Sequence, residues 1–132
     1  MPDKRTPVVT DIKYHFVWHT KFLAPILVGD VKIRAGEIIS EGCKENELIK
    51  LEGRIGKNFV YIKVISPARL SPSAIMRLLK GRSSRYLQAM FPHIREANLH
   101  NSVWDSGFFC ATCGNVSDED IKNYIKQPPR GL

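Results

Sequence analysis

Tyr124, in the segment Ile121-Lys122-Asn123-Tyr124-Ile125, carries the most chemical potential in this sequence. A phenol has a pKa of about 10, so it becomes a covalent nucleophile only when a nearby cation or base draws its proton. By spacing alone Tyr124 also reads as an aromatic on the apolar side of a helix, beside Ile121 and Ile125. Arg77, Lys80, Arg82 and Arg85 alternate with Gly81, Ser83 and Ser84. Cations neutralise phosphates, and small residues between them let a nucleic-acid backbone approach closely; a solvated helix face is the plainer reading. His15 and His19 lie on one face of a strand, an arrangement able to hold a metal. Cys110-Ala111-Thr112-Cys113 is a C-x-x-C. Zinc would need two more ligands, for which Cys43 and His100 are the candidates; otherwise these are small residues beside a turn. Phe22, Phe91 and Trp104 are available for base stacking.

The elements that position these groups follow from pattern. Asp11 to Thr20 is rich in aromatic and β-branched residues and predicts a strand. Val31, Ala35, Ile38, Ile39 and Gly42 recur at helical spacing, giving a short helix that Gly36 and Gly42 weaken. Leu48–Ile55 and Phe59–Ile65, joined by Gly56-Lys57-Asn58, read as a hairpin. In its second strand Val60, Ile62 and Val64 share one face; Phe59, Tyr61 and Lys63 share the other. Ser71-Pro72 starts a helix whose apolar side is Ile75, Leu78, Leu79, Tyr86 and Met90, with Arg77, Lys80, Ser84 and Gln88 opposite and Arg85 on the flank. Val103-Trp104 and Phe108–Thr112 form a fourth strand. Ser117, with Asp120 in the capping-box position, opens a last helix that Pro128-Pro129 stops. Strands and helices in this order predict an α+β fold, an antiparallel sheet with helices packed on it, of the ferredoxin-like plan.

Composition bounds the function. The 132 residues suit a single domain spanning 1–132, with 1–10 and 128–132 as loose tails. A net charge of +7 suits a polyanion, nucleic acid before an anionic membrane. Apolar runs are interrupted by charge within a few residues, so no spanning helix is expected. Met1 to Thr10 lacks an apolar signal region, and an odd cysteine count of 3 argues against a disulfide framework; both point to the cytoplasm.

Several collinear blocks now resemble one family. They are Tyr14-His15-Phe16-Val17-Trp18-His19-Thr20-Lys21, Leu78-Leu79-Lys80-Gly81-Arg82-Ser83-Ser84-Arg85, Gly107-Phe108-Phe109, Ala111-Thr112-Cys113-Gly114-Asn115-Val116-Ser117 and the Tyr124 segment. Together they are similar to the single-tyrosine HUH transposases of bacterial and archaeal insertion sequences, often called TnpA. The resemblance implies an HUH transposase fold, a homodimer, and binding of single-stranded DNA hairpins at element ends. It implies nicking and joining through a 5′-phosphotyrosine on Tyr124. The family's divalent metal, Mg²⁺ or Mn²⁺, is held by two strand histidines and commonly a glutamine on the tyrosine helix, and polarises the phosphate.

This sequence departs from that pattern at the metal. The two histidine positions fall on Phe59 and Tyr61, and the glutamine position on Pro128; Gln127, one residue early, is about 100° away around a helix. None of the three replacements is a usual ligand for a hard cation. Lys63, on the same face, can stand near a phosphate or simply be a solvated lysine. Val31 to Glu45 also reads as compact, where the family's helix is longer and more regular. Three functions remain open: a DNA-hairpin-binding relative with impaired nicking, an active transposase using Tyr124 with an atypical or absent metal site, and a zinc or redox module at Cys110 and Cys113. The DNA contacts expected are Arg77, Lys80, Arg82, Arg85 and Lys63.

Overall fold

The computed structural model describes residues 11–97 and 102–126. In chain order these form β1 (Asp11–His19), a single 3-10 turn (Lys21–Leu23), α1 (Gly29–Glu45), β2 (Ile49–Ile55), β3 (Phe59–Pro67), α2 (Pro72–Met90), α3 (Pro92–Arg95), β4 (Phe109–Thr112) and α4 (Asp118–Lys126). The strands make one antiparallel sheet in the order β2-β3-β1-β4. This is the α+β plan predicted above. The expected tails, and His100, Gln127 and Pro128, lie outside the described residues.

Alternation along β1 and β3 divides the sheet into two faces. Tyr14, Phe16 and Trp18 of β1 join Val60, Ile62 and Val64 of β3 in a core completed by α1 and α2. The register sets Phe16 opposite both Ile62 and Cys110, so all three point into that core. His15, Val17, His19, Phe59, Tyr61, Lys63 and Phe109 lie on the other face, where α4 packs.

Three elements differ from expectation. First, α1 is a regular helix of 17 residues, not a shortened one. Its glycines serve contact: a Cβ at Gly42 would lie 3.0 Å from Leu79 and 3.3 Å from Arg82, so Gly42 allows α1 and α2 to approach closely. Second, α2 is rotated from the predicted face. Leu78, Tyr86 and Met90 are exposed, while Met76, Ser83, Ser84 and Leu87 are buried. The two serines tolerate burial because their hydroxyls are satisfied. Ser83 Oγ donates to Leu79 O at 2.6 Å and accepts from Trp104 Nε1 at 2.9 Å, and Ser84 Oγ accepts from Val103 N at 3.1 Å. Third, β4 is only Phe109–Thr112; Trp104 makes an isolated bridge with Thr20 instead. The predicted caps are present. Ser71 Oγ accepts from Ala74 N at 3.0 Å, and Ser117 and Asp120 exchange reciprocal bonds of 3.0 and 3.1 Å.

Candidate functional site

α4 carries Tyr124 onto the sheet face opposite the core. Two contacts fix it there. His19 Nε2 meets Ile125 O at 3.1 Å, tying the last turn of α4 to the end of β1. The Tyr124 ring lies between Phe109 and His19, with centroids 4.9 and 5.5 Å away. A carbonyl only accepts, so Nε2 holds the ring proton and His19 Nδ1 is a bare acceptor. That Nδ1 and the Tyr124 hydroxyl are both buried without a hydrogen-bond partner among the described residues. Burial first, and the nearby Asp105 carboxylate second, push the Tyr124 phenol up to about 12.

Phe59 and Tyr61 stand at the two strand positions facing α4. The Phe59 ring approaches His19, at 6.5 Å between centroids, and closes over the β2–β3 turn. A Cβ on Gly56 would lie 2.1 Å from it. Gly56→Ala is therefore expected to drive the Phe59 ring out of place and lower stability by about 1–3 kcal/mol, read by urea denaturation. The Tyr61 hydroxyl sits 2.9 Å from His15 Nδ1 and 3.3 Å from Glu52 Oε1. A carboxylate only accepts, so the hydroxyl donates to Glu52 and receives the His15 Nδ1 proton. Burial, reinforced by Glu52, pushes Tyr61 up to about 12.

These residues do not fit the family's divalent ion. Phe59 offers no donor atom. The Tyr61 phenol is neutral at physiological pH and already committed to His15 and Glu52. Hard cations take carboxylate, carbonyl or water oxygens, not an aromatic ring and a protonated phenol. No group of three or more His, Cys, Asp or Glu able to hold a metal occurs among the described residues. Cys110 faces the core, and burial pushes its thiol up to about 11.

The expected DNA contacts are divided by the fold. α2 packs on the core face, so Arg77 and Arg85, both exposed, belong to a different surface from Tyr124. With Glu45, Asn46, Leu78 and Arg82 they line a cleft of about 320 Å³. Arg82 is turned into ion pairs with Glu45 at 2.7 Å and Glu41 at 3.6 Å, and its guanidinium lies 5.1 Å from the Tyr86 ring centroid. Lys80 points inward: its Nζ donates to Asp105 O at 2.7 Å and Gly107 O at 3.1 Å. Burial lowers its pKa to about 8, and nearby Asp105 opposes that shift. Lys80 thus clamps the loop before β4, leaving it poorly placed to reach a phosphate. Lys63 alone of the five lies on the tyrosine face, beside His15. Asp105 and Glu52 carried no sequence signal, since a carboxylate next to a turn or on an edge strand is ordinary.

Residues 8–128 match a family model described as transposase, IS200-like. The chain belongs to the IS200-like transposases. It is 26% identical over 114 residues to the transposase of insertion sequence element IS200 from Salmonella typhimurium, covering 86% of this chain and 74% of that one. It is 21% identical over 118 residues to the ISDra2 transposase TnpA of Deinococcus radiodurans, covering 89% and 84%. Its fold superposes on a crystal structure described as a transposase from Deinococcus radiodurans with a TM-score of 0.84, at 22% identity over 93% of this chain and 95% of the other. A REP-associated tyrosine transposase bound to a REP hairpin superposes with a TM-score of 0.59, at 12% identity over 97% and 75%. Both neighbours share the HUH transposase fold. Within this IS200-like chain no helix among the described residues is long and apolar enough to cross a membrane.

The tyrosine face also sets a pH dependence. Burial lowers the pKa of His19, and burial followed by the Lys63 charge lowers that of His15. Both are therefore neutral in the fold at a pH where the unfolded chain already takes up protons. Stability is complete above the unfolded histidine value of about 6.5 and is lost as pH falls below it. Thermal melts by circular dichroism from pH 7.5 to 5.5 are expected to show a falling Tm. His19→Gln, which lacks a titrating ring, is expected to flatten that fall.

Proposed function

We propose that this IS200-like transposase binds single-stranded DNA hairpins and that its nicking and joining chemistry is impaired. The observation that carries the reading is the donor set around Tyr124. Attack on a phosphodiester needs a deprotonated phenol and positive charge on the phosphate. Here the phenol is buried, its pKa is raised, and the positions facing it hold Phe59 and Tyr61. Hairpin binding is supported by the net charge of +7, by exposed Arg77 and Arg85, and by the REP hairpin on a relative of the same fold. The chain would act in the cytoplasm and as a homodimer. Support for the dimer comes from β2, a sheet edge whose Ile49 and Leu51 are exposed, since an unpaired edge with apolar side chains favours a second strand.

The test is Tyr124→Phe. Its affinity for an element-end hairpin in a native gel is expected to equal the wild type's, because the hydroxyl has no hydrogen-bond partner among the described residues. A large loss of affinity would contradict the reading.

A second reading, an active enzyme working from Tyr124 without the usual metal, is favoured by His19. Its bare Nδ1 is a neutral base, and its ring lies 5.5 Å from that of Tyr124. A covalent adduct lost in His19→Gln as well as in Tyr124→Phe would establish that reading.

A further inference from the structure

α4 has little of its own to hold it on the sheet. It spans 9 residues, of which Ile121 is buried, and a helix this short is marginal in water by itself. Its place therefore depends on two contacts: His19 Nε2 with Ile125 O, and the Phe109 ring with that of Tyr124. His19 ends β1 and Phe109 begins β4, so the two arms of this cradle come from different strands. The loop 105–108 sets one arm relative to the other. It is joined to the first arm directly, because Asp105 N donates to His19 O at 2.9 Å.

Lys80 fixes that loop from the core side. It reaches out of α2, and its Nζ donates to Asp105 O at 2.7 Å and Gly107 O at 3.1 Å. Gly107 is two residues before Phe109, at most about 7 Å of chain. One ammonium thus anchors both arms, Asp105 on the His19 side and Gly107 on the Phe109 side. Burial dominates the pKa shifts of Tyr124 and His19, yet the Asp105 carboxylate acts on both, which places the clamped loop beside the pair. An ammonium is a costly choice here, since burial lowers its pKa to about 8. A methionine of similar length would fill the space without that cost. What the ammonium alone supplies is donors to two carbonyls at once. We infer that Lys80 is a positioning residue for Tyr124, its hold on the loop 105–108 keeping α4, and with it the phenol, docked on the sheet. This concerns how the tyrosine is placed and does not depend on the hairpin-binding reading.

Wild type, Lys80→Met and Lys80→Arg would be nitrated with tetranitromethane, and each of the 4 tyrosines read separately by peptide mass spectrometry. Tyr14, in the core, reports opening of the whole domain, and exposed Tyr86 reports the reagent. Tyr124, whose hydroxyl is buried, reports release of α4. Lys80→Met is expected to raise nitration of Tyr124 about tenfold while Tyr14 stays protected. Lys80→Arg, which keeps a cation with several donors, is expected to stay near the wild type. In the wild type, hydrogen exchange should show the α4 amides and the Asp105 amide opening together as one unit. Tyr124 as protected in Lys80→Met as in the wild type would overturn the inference, and so would independent opening of α4. Nitration of Tyr14 and Tyr124 together, or loss of the fold, would also overturn it, because Lys80 would then support the core as a whole.

Discussion

Trp104→Ala is expected to cost about 3–5 kcal/mol, a large part of the 5–15 kcal/mol that holds an ordinary domain together. Trp104 is 1% exposed, and its indole meets Trp18 edge-on with centroids 5.9 Å apart. Its N–H donates to Ser83 on α2, and its backbone bridges Thr20 at the end of β1. One side chain therefore joins the helix layer, the sheet and the loop that Lys80 clamps. Truncation leaves a cavity and breaks the indole's bond to Ser83, and neighbours fixed by their own hydrogen bonds cannot collapse into the space. Urea denaturation followed by tryptophan-independent far-ultraviolet circular dichroism would measure the loss. Trp104→Phe, which keeps most of the ring, is expected to cost clearly less. A cost below about 1 kcal/mol for the alanine variant would show that the core can close without the indole.

The second large effect concerns DNA. Replacing Arg77 and Arg85 together by alanine is expected to weaken hairpin binding by more than about tenfold at low salt and to make log K against log salt less steep by about 2. The reason is the division of cations found above: these two are open to solvent, whereas Arg82 is paired with Glu41 and Glu45 and Lys80 with two carbonyls. Arg82→Ala should therefore change stability and leave the salt slope nearly intact. Fluorescence anisotropy over a salt series would separate the two outcomes. A slope change for Arg82→Ala as large as for the double variant would place the DNA elsewhere on α2.

Much of the fold was legible because its signals are local. The β2–β3 hairpin was marked by Gly56-Lys57-Asn58 between alternating strands. The ends of α2 and α4 were marked by Ser71-Pro72 and by Ser117 with Asp120. The face of α2 was not legible, because Ser83 and Ser84 count as polar in any pattern, yet their hydroxyls find partners on Leu79, Trp104 and Val103. α1 looked short because Gly36 and Gly42 lower helix propensity, and only the neighbouring Leu79 and Arg82 reveal what Gly42 permits. At the site, alternation correctly set Phe59, Tyr61 and Lys63 on one face. The joining of that face to Tyr124 through His19 and Ile125 depends on a contact between residues 106 positions apart, which no spacing rule contains. The left-handed turn at Phe22 was equally hidden, since Lys21-Phe22-Leu23 lacks the glycine or asparagine that usually announces such geometry.

We propose that this IS200-like transposase binds DNA around a tyrosine it cannot readily activate. Purified protein would be incubated with a labelled single-stranded element-end hairpin and Mn²⁺, then run on a denaturing gel beside a native gel of the same samples. A shifted complex is expected on the native gel, and no covalent protein–DNA band on the denaturing gel. A covalent band that disappears in Tyr124→Phe would contradict it, and would mean that Phe59 and Tyr61 do not disable the site.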